Sequence, residues 1–249
     1  MSAGSVLKRY NCLDGPRIAA AIRGHYRDRG GRVRQDVGGF MTQKRRILPP
    51  DERKKEILDA ATEIFSSKGY RAASVTDVLE RAGIARGTFY HYFGSKKDVF
   101  LELIEFYFTE FEKVLEECHI ELMSALDAGT SPLEAWKDYS LRVLHYHSEN
   151  PELTVLIYRE AMGLDEQFFY KADEFSDLGT KQIAADLQVM IDQGYMPQCD
   201  VDFAAAIVAG ATVNIILEYI VRRGTKDLES LAWQLALNQV KALAPPFTT

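Results

Sequence analysis

The side chains best suited to bind another molecule lie in a short stretch after Gly83. Arg86 can donate two hydrogen bonds to the edge of a guanine base, and Thr88 offers a hydroxyl and a methyl group for contact with bases. Gly87, between them, has no side chain, which allows a backbone to come close to DNA. This combination indicates a segment that reads base pairs in duplex DNA.

The neighbouring positions carry groups that suit the phosphates of a nucleic acid. Tyr90 and His91 have a hydroxyl and an imidazole that can donate to phosphate oxygens. Lys96 is predicted in the first turn of a later helix, whose N-terminal amides also favour an anion. Ser74 has the same position at the start of an earlier helix. Together these residues predict a phosphate-binding rim around the base-reading segment.

Two short helices joined at a glycine are predicted to position these groups. Ser74-x-x-Asp77 has the pattern of a capping box and starts the first helix, which ends at Ala82-Gly83. The second helix runs from about Ala85 to Tyr92, and Gly83 can adopt the left-handed conformation that the tight turn needs. The pair forms a helix-turn-helix whose second helix lies in the major groove. We expect its core to contain Val78, Leu79, Ala82, Ile84, Phe89 and Phe93.

The same run resembles the signature of the TetR/AcrR family of repressors, over about residues 50–100. By this resemblance, the Thr76 position departs from the family, because relatives often carry a basic residue there, and Gly94 replaces a commonly larger residue. The residues that carry the resemblance are Ala82-Gly83-Ile84-Ala85-Arg86-Gly87-Thr88-Phe89-Tyr90-His91-Tyr92-Phe93, followed by Ser95-Lys96. The positions that it implies as DNA contacts are Ser74, Arg86, Gly87, Thr88, Tyr90, His91 and Lys96.

The remainder of the chain is predicted to be helical, so the fold class is all-α. Ser131-Pro132 and Asn150-Pro151 are helix starts that combine a cap with proline, and Gly194 and Gly224 are predicted helix ends, as is Gly163. We expect a disordered basic extension at 1–48, a helix-turn-helix domain at 49–95 and a ligand-binding and dimerisation domain at 96–249.

The charge is distributed unevenly along the chain. Residues 1–41 hold eight Lys and Arg against three acids, and residues 42–97 hold twelve against seven, whereas residues 98–249 hold ten against twenty-six. A basic head on an acidic body favours contact of the head with a polyanion. Two interpretations of residues 1–40 stay open, namely an extension upstream of a start at Met41 and a basic arm that adds non-specific affinity for DNA.

The predicted fourth helix and the helices after it are expected to form a ligand pocket, as in the family. We select aromatic and polar residues in apolar surroundings: Tyr107, Phe111, His145, Tyr158 and Arg159. A thick core remains the alternative for the aromatic residues. His145 and His147 are two positions apart and diverge on a helix, so we expect no metal site. We also expect no cofactor.

The stretch from Phe203 to Val221 is the most apolar in the chain and could span a membrane by length. Asn214 and Glu218 argue against a span, and we expect a helix that is buried on most sides. Ala206 and Gly210 would let another helix approach closely. The resemblance implies that 203–223 and 228–243 form a four-helix bundle with a second subunit, with Leu231, Leu235, Asn238 and Leu243 along one side.

The expected function is a ligand-responsive, dimeric transcriptional repressor that a small, largely apolar inducer releases from an inverted-repeat operator. An enzyme is not expected, because the chain has no nucleophile elbow, phosphate-binding glycine loop or metal-binding helix motif. A membrane or protein-binding module that uses the Phe203 stretch is a third interpretation. The three cysteines, Cys12, Cys118 and Cys199, are far apart, and together with the absence of a signal-peptide pattern they favour the cytoplasm.

Overall fold

The computed structural model describes residues 49–158 and 166–243, and within these ranges the regular elements are helices, which confirms the all-α prediction. In chain order they are α1 (Pro50–Lys68), α2 (Val75–Ala82), α3 (Arg86–Tyr92), α4 (Lys96–Asp127), α5 (Pro132–Glu149), α6 (Pro151–Leu156), α7 (Glu166–Asp192), α8 (Val201–Ile215) and α9 (Leu228–Leu243). A π-helix, Ile216–Arg222, continues α8. The predicted extension at 1–48 lies outside the described residues, and so do Gly163 and Arg159.

The helix starts follow from side-chain caps that the sequence predicts. Ser74 caps α2, where its hydroxyl accepts a hydrogen bond from the Asp77 amide at 3.2 Å and the Asp77 carboxylate accepts one from the Ser74 amide at 2.8 Å. Ser131 caps α5 in front of Pro132. Asn150 differs, because its side chain makes no cap hydrogen bond to α6 and instead donates to the Tyr146 carbonyl.

A first buried core holds α1, α2 and α3 against the start of α4. Later parts of the chain complete this core, because Leu153 and Leu156 of α6 and Phe168 of α7 belong to the same buried cluster. Phe168 is 1% exposed and lies against the rings of Tyr70 and Phe100, with centroid distances of 5.5 and 4.8 Å. The body of the molecule therefore supplies part of the core on which α1–α3 rest.

A second buried core lies among the rest of α4 and helices α5, α7, α8 and α9. The indole nitrogen of Trp136 on α5 donates a buried hydrogen bond of 2.8 Å to the side-chain oxygen of Gln239 on α9. Leu231 of α9 belongs to this core, and Leu235, one turn further along the helix, is likewise only 6% exposed. Together these contacts fix α9 against α5.

The span from Val201 to Arg222 has the length and apolar character of a membrane helix, but only 28% of its most apolar window is buried in this chain. One such helix is weak support for a membrane protein. The expectation that it is buried on most sides is not met within the single chain. Phe203 is 67% exposed and Ile207 38% exposed, on the same side as Gly210, because the spacing of three and four residues keeps a helix face.

The described helices from Pro50 onward belong to one compact unit. Its two cores share α4, which contributes Tyr107 to the first core and Leu115 to the second. The domain boundaries after residues 48 and 95 stay predictions.

Candidate DNA interface and ligand site

The turn between α2 and α3 is fixed by Gly83 and by a buried ring. Gly83 ends α2 with a φ of 64°, in the left-handed region that favours glycine. Phe89 of α3 is fully buried and packs in the first core with Val78 of α2. Phe93 is 3% exposed, as predicted for a core residue. These contacts hold the inner face of α3, and its outer face is free of the core.

The outer face of α3 presents polar and small residues in a stripe. Arg86, Gly87, Tyr90 and His91 are exposed, and Thr88 is half-buried. The Arg86 guanidinium lies 5.5 Å from the centre of the Tyr90 ring, and its nitrogen is 3.5 Å from the Tyr90 hydroxyl. A methyl group placed on Gly87 would meet no atom within 4 Å, so this part of the helix surface is open. The stripe can therefore approach a broad groove.

Ser74 is exposed at the start of α2, and its hydroxyl takes part in the capping box. Besides accepting from the Asp77 amide, it donates to the Asp77 carboxylate at 2.8 Å. The Lys68 ammonium also lies 2.5 Å from this carboxylate. The hydrogen bonds from Lys68 and Ser74 lower the pKa of Asp77 to about 2. Asp77, the acidic residue nearest to this helix start, therefore stays ionised, and the Lys68 ammonium balances its charge.

Lys96 holds the beginning of α4 to the connection between α1 and α2. Its ammonium donates to the carbonyl oxygens of Tyr70 and Ala73, each at 2.7 Å, and lies 4.3 Å from the centre of the Tyr70 ring. Partial burial lowers the pKa of Lys96. Because these bonds use two of the three ammonium hydrogens, Lys96 positions α4 in addition to any contact with DNA.

The predicted ligand-site residues are brought together only in part. Tyr107, Phe111 and Tyr158 meet around His147, with ring centroids 6.0, 4.9 and 5.8 Å from the imidazole. His145 is exposed and lies apart from this group, because neighbours two apart in a helix point in different directions. Arg159 lies outside the described residues.

Three residues outside the five selected ones lie in the same cluster. His147 and Thr154 are fully buried, and Tyr146 is half-buried beside them. The sequence does carry a signal for His147, which follows the apolar Val143 by four positions and Leu144 by three, so that it shares their face. Thr154 has no comparable signal, since a single threonine after a proline start is common in helices.

Comparison with known proteins finds a family match for the segment from α1 to the start of α4. The sequence profile described as "Bacterial regulatory proteins, tetR family" matches residues 57–103. An uncharacterized HTH-type transcriptional regulator in the lacX 3' region of Lactococcus lactis is 29% identical over 187 residues, which are 72% of this chain and 87% of that protein. The HTH-type transcriptional repressor KstR2 of Mycobacterium tuberculosis is 27% identical over 65% of this chain and 78% of its own length.

The helical body also has counterparts among solved structures. The transcriptional regulator FadR from Bacillus subtilis, solved in complex with stearoyl-CoA, superposes with a TM-score of 0.62 at 20% identity, over 75% of this chain and 97% of that one. At this identity the likeness shows the fold. These three proteins are regulators of transcription and not enzymes.

Proposed function

Because the chain belongs to the TetR family of bacterial transcriptional regulators, we propose that it is a dimeric repressor that a small, largely apolar inducer releases from an inverted-repeat operator. The observation that carries the proposal is the exposed face of α3, with Arg86, Gly87 and Tyr90, inside the segment that matches the family. Such a regulator acts in the cytoplasm, where the DNA is.

On DNA, α3 enters the major groove with its N-terminal residues towards the bases. Arg86 donates to a guanine and Thr88 contacts a neighbouring base, while Gly87 lets the backbone come close. Tyr90 and His91, one turn further along, donate to phosphate oxygens. The stacking of Arg86 on Tyr90 supports this assignment, because it limits the freedom that the long Arg86 side chain would lose on binding.

Ser74 and Lys96, which lie outside α3, contribute to phosphate binding in a different way. The Ser74 hydroxyl is engaged in the cap, so the free backbone amides of the first turn of α2 are the better donors there. Lys96 retains one ammonium hydrogen beyond its two carbonyl bonds, and this hydrogen can reach a phosphate. Both residues therefore combine a structural role with a contact to the DNA backbone.

The dimer forms through the exposed faces of α8 and α9. Phe203 and Ile207 on α8 and Trp233 on α9, which is 43% exposed, are large apolar side chains that the single chain leaves in contact with water. Gly210 lets a partner helix pack closely. Leu231 and Leu235 were expected at this interface, but they belong to the chain's own core, so Trp233 and Asn238 are the better α9 candidates.

The inducer acts through α4, which runs from the head into the body over 32 residues, or roughly 48 Å. Its first residue, Lys96, is bonded to the α1–α2 connection, and Tyr107 on the same helix lies in the cluster around His147. A ligand that displaces Tyr107 therefore moves α4 and changes the separation of the two α3 helices in the dimer. The stearoyl-CoA bound to FadR makes an acyl-CoA the first inducer to test.

DNA selected from a random pool by the protein tests the first part of the proposal. We expect salt-sensitive binding to an inverted repeat, measured by fluorescence anisotropy. Arg86→Ala should weaken binding by about 1–3 kcal/mol, which corresponds to roughly 5- to 150-fold. Lys113→Ala removes an exposed cation of α4 that pairs with Glu110, and should leave affinity unchanged. Unchanged affinity in Arg86→Ala would contradict the role of α3.

Sedimentation tests the dimer. Phe203→Asp should convert it to a monomer, because the charge cannot be buried against a second apolar helix. Ile120→Asp provides the matched control, since Ile120 is also an exposed apolar residue, 59% exposed, but belongs to α4. Release of the selected DNA by stearoyl-CoA tests the inducer class, and a failure of both stearoyl-CoA and shorter acyl-CoA thioesters to release DNA would exclude that class.

A further inference from the structure

The cluster around His147 contains a short chain of hydrogen bonds with one open end. The Tyr107 hydroxyl lies 2.5 Å from Nδ1 of His147 and 2.9 Å from the Thr154 hydroxyl. The Thr154 hydroxyl can also donate to the His147 carbonyl, at 3.2 Å. Nε2 of His147, by contrast, is buried and has no hydrogen-bond partner among the described residues. A buried nitrogen without a partner is rare in folded proteins and destabilises the fold.

Burial keeps the imidazole neutral. It lowers the pKa of His147 to about 3, and the cause is the loss of solvent around the ring. Among the described residues, no charged side chain contributes to this shift. A neutral imidazole has one donor and one acceptor, so Nε2 is a donor when Nδ1 accepts from Tyr107 and an acceptor when Nδ1 donates to it. The hydroxyls of Tyr107 and Thr154 can rotate to allow either state.

The surroundings of the open nitrogen are aromatic. The inner wall is formed by Tyr107, which is fully buried with His147, whereas Phe111, Tyr146 and Tyr158 are half-buried. The Phe111 ring stacks on Tyr146 at 5.2 Å, and the Tyr146 hydroxyl is already used, because it donates to the Tyr107 carbonyl at 2.5 Å. The imidazole is therefore packed against aromatic rings, three of which are partly exposed.

We infer that Nε2 of His147 is the polar anchor of the inducer site, and that it binds an uncharged carbonyl or amide group of an apolar ligand. This inference rests on the proposed function, since it specifies the inducer of that regulator. The rings supply apolar contact, and one hydrogen bond fixes the orientation of the ligand. A thioester carbonyl and a carboxamide both meet this description.

The cluster disfavours ligands whose charged group would lie at Nε2. An ion that is moved from water into a buried apolar site loses its hydration, and the described residues provide no opposite charge there to replace it. A carboxylate could accept a hydrogen bond from Nε2–H in one tautomer, but a single neutral donor does not replace the hydration that the ion loses. The charged part of a larger ligand, such as a nucleotide, would therefore lie outside the rings.

His147 also connects the ligand to α4. Its Nδ1 is bonded to Tyr107 of α4, and a ligand at Nε2 fixes the tautomer of the ring and thereby the direction of the bond to Tyr107. The same side chain that recognises the inducer thus contacts the helix that leads to the head.

Two substitutions separate the two nitrogens of His147. In His147→Asn, the asparagine amide takes the place of Nδ1, and no group takes the place of Nε2. In His147→Gln, the glutamine amide takes the place of Nε2, and no group takes the place of Nδ1. The probes are decanamide, decanoate and decylammonium, which share one alkyl chain and differ in the head group. Binding is measured by calorimetry, and operator release by anisotropy.

The wild-type protein should bind decanamide at least about tenfold more tightly than decanoate or decylammonium, since the ionic head groups would lose their hydration at Nε2 without an opposite charge. His147→Asn should lose about tenfold in affinity for decanamide, and His147→Gln should retain binding within a few-fold. Equal binding of the three probes, preference for an ion, no binding of decanamide, or unchanged decanamide affinity in His147→Asn would overturn the inference.

A measurement on the wild-type protein keeps the test independent of the variants' folding. In protein labelled with 15N histidine, decanamide should shift the Nε2 resonance of His147 and leave that of the exposed His145 in place. The reverse pattern, or no shift at saturating decanamide, would also overturn it. Operator binding by the wild-type protein without any ligand tests the proposed function separately, because that measurement needs no ligand at Nε2.

Discussion

The α2–α3 unit and the cluster around His147 are built from contacts of very different range. In the α2–α3 unit, the Ser74 cap joins residues three apart, and the amide of Gly83 donates to a carbonyl of the preceding turn. In the His147 cluster, the bonds from Tyr107 reach His147 and Thr154, which are 40 and 47 positions further along the chain.

This difference determines how each region can fail. The α2–α3 unit depends on single residues with a special conformation. A substitution there changes one turn and should lower the stability less than the loss of a buried ring does. The His147 cluster depends on the packing of α4, α5 and α6, so its properties change with burial and with the charge state of one ring. Phe168 lies outside both groups and belongs, with Leu153 and Leu156, to the core that the body shares with the head, so its loss should affect stability more than a change in either group.

Phe168→Ala should produce the largest loss of stability. It removes a ring that is 1% exposed and touches Tyr70 and Phe100, and such a truncation costs about 3–5 kcal/mol because a cavity remains. Urea unfolding measures the change. Operator affinity should fall as well, since Phe168 supports the core behind α1–α3.

The matched control is Phe169→Ala, because Phe169 is the next residue and is 40% exposed. A surface substitution of this kind should change the free energy of unfolding by no more than about 0.5 kcal/mol. Equal losses in the two variants would show that the head does not depend on the body in the way that the shared core indicates.

The pH dependence of stability should reveal His147. The pKa of His147 is about 3 in the folded chain and near 6.5 in an unfolded one, so below 6.5 the unfolded state binds a proton that the folded state does not. Stability is therefore complete above pH 6.5 and falls by about 1.4 kcal/mol per pH unit as the pH decreases towards 3. Between pH 6.5 and 5 the loss is about 2 kcal/mol.

Urea unfolding at the two pH values measures this loss, and His147→Asn should abolish most of it. His145→Asn is the control, because His145 is exposed and its substitution should leave the slope as in the wild type. A flat profile for the wild-type protein between pH 6.5 and 5 would show that His147 takes up a proton in the folded state. In that case the imidazole would not be neutral, and the proposal that its Nε2 binds an uncharged group would be wrong.

The helix-turn-helix could be predicted from the sequence because its determinants are local. The Ser74 and Asp77 cap, the left-handed Gly83 and the buried Phe89 are each visible within a few residues. The role of Lys96 could not be predicted in this way. Its partners, the carbonyls of Tyr70 and Ala73, are 26 and 23 positions earlier, and any exposed carbonyl could have taken their place.

The ligand site could be predicted only as a set of residue types. Tyr107, Phe111 and Tyr158 were selected for being aromatic and do converge, whereas His145 was selected in place of His147. The helical period distinguishes these two histidines once the buried face of α5 is known. In the same way, the period shows that α9 has two faces, but not which of them this chain buries against its own core.

A pair of glycine substitutions separates conformation from DNA contact within the α2–α3 unit. Gly83→Ala should cost about 1–2 kcal/mol of stability, because alanine is strained at a φ of 64° although the space around the residue is open. Gly87→Ala should leave stability unchanged or slightly raised, since Gly87 lies in a helix with open space around it.

Operator affinity should reverse this order. Gly87→Ala places a methyl group where α3 approaches DNA and should weaken binding, while the Gly83→Ala protein that remains folded should bind almost normally. Thermal unfolding and anisotropy on the same samples give both values. If Gly87→Ala bound the operator as the wild type does, the close approach of the α3 backbone would be refuted.

Removal of the α2 cap should have the smallest effect of the series. Ser74→Ala eliminates the hydroxyl that accepts from the Asp77 amide and donates to the Asp77 carboxylate, and the loss of such a cap costs about 1 kcal/mol. Ser95→Ala is the comparison. The Ser95 hydroxyl makes one cap bond, in which it accepts from the Asp98 amide, so this substitution should cost less stability.

Since Lys68 still bonds to Asp77 in the Ser74 variant, the pKa of Asp77 should rise only part of the way towards its ordinary value, which NMR titration of the carboxylate can follow. A larger loss in Ser95→Ala would mean that the reciprocal bonds of the capping box add nothing, and that the α2–α3 unit is held from the α4 side and not by its own local contacts.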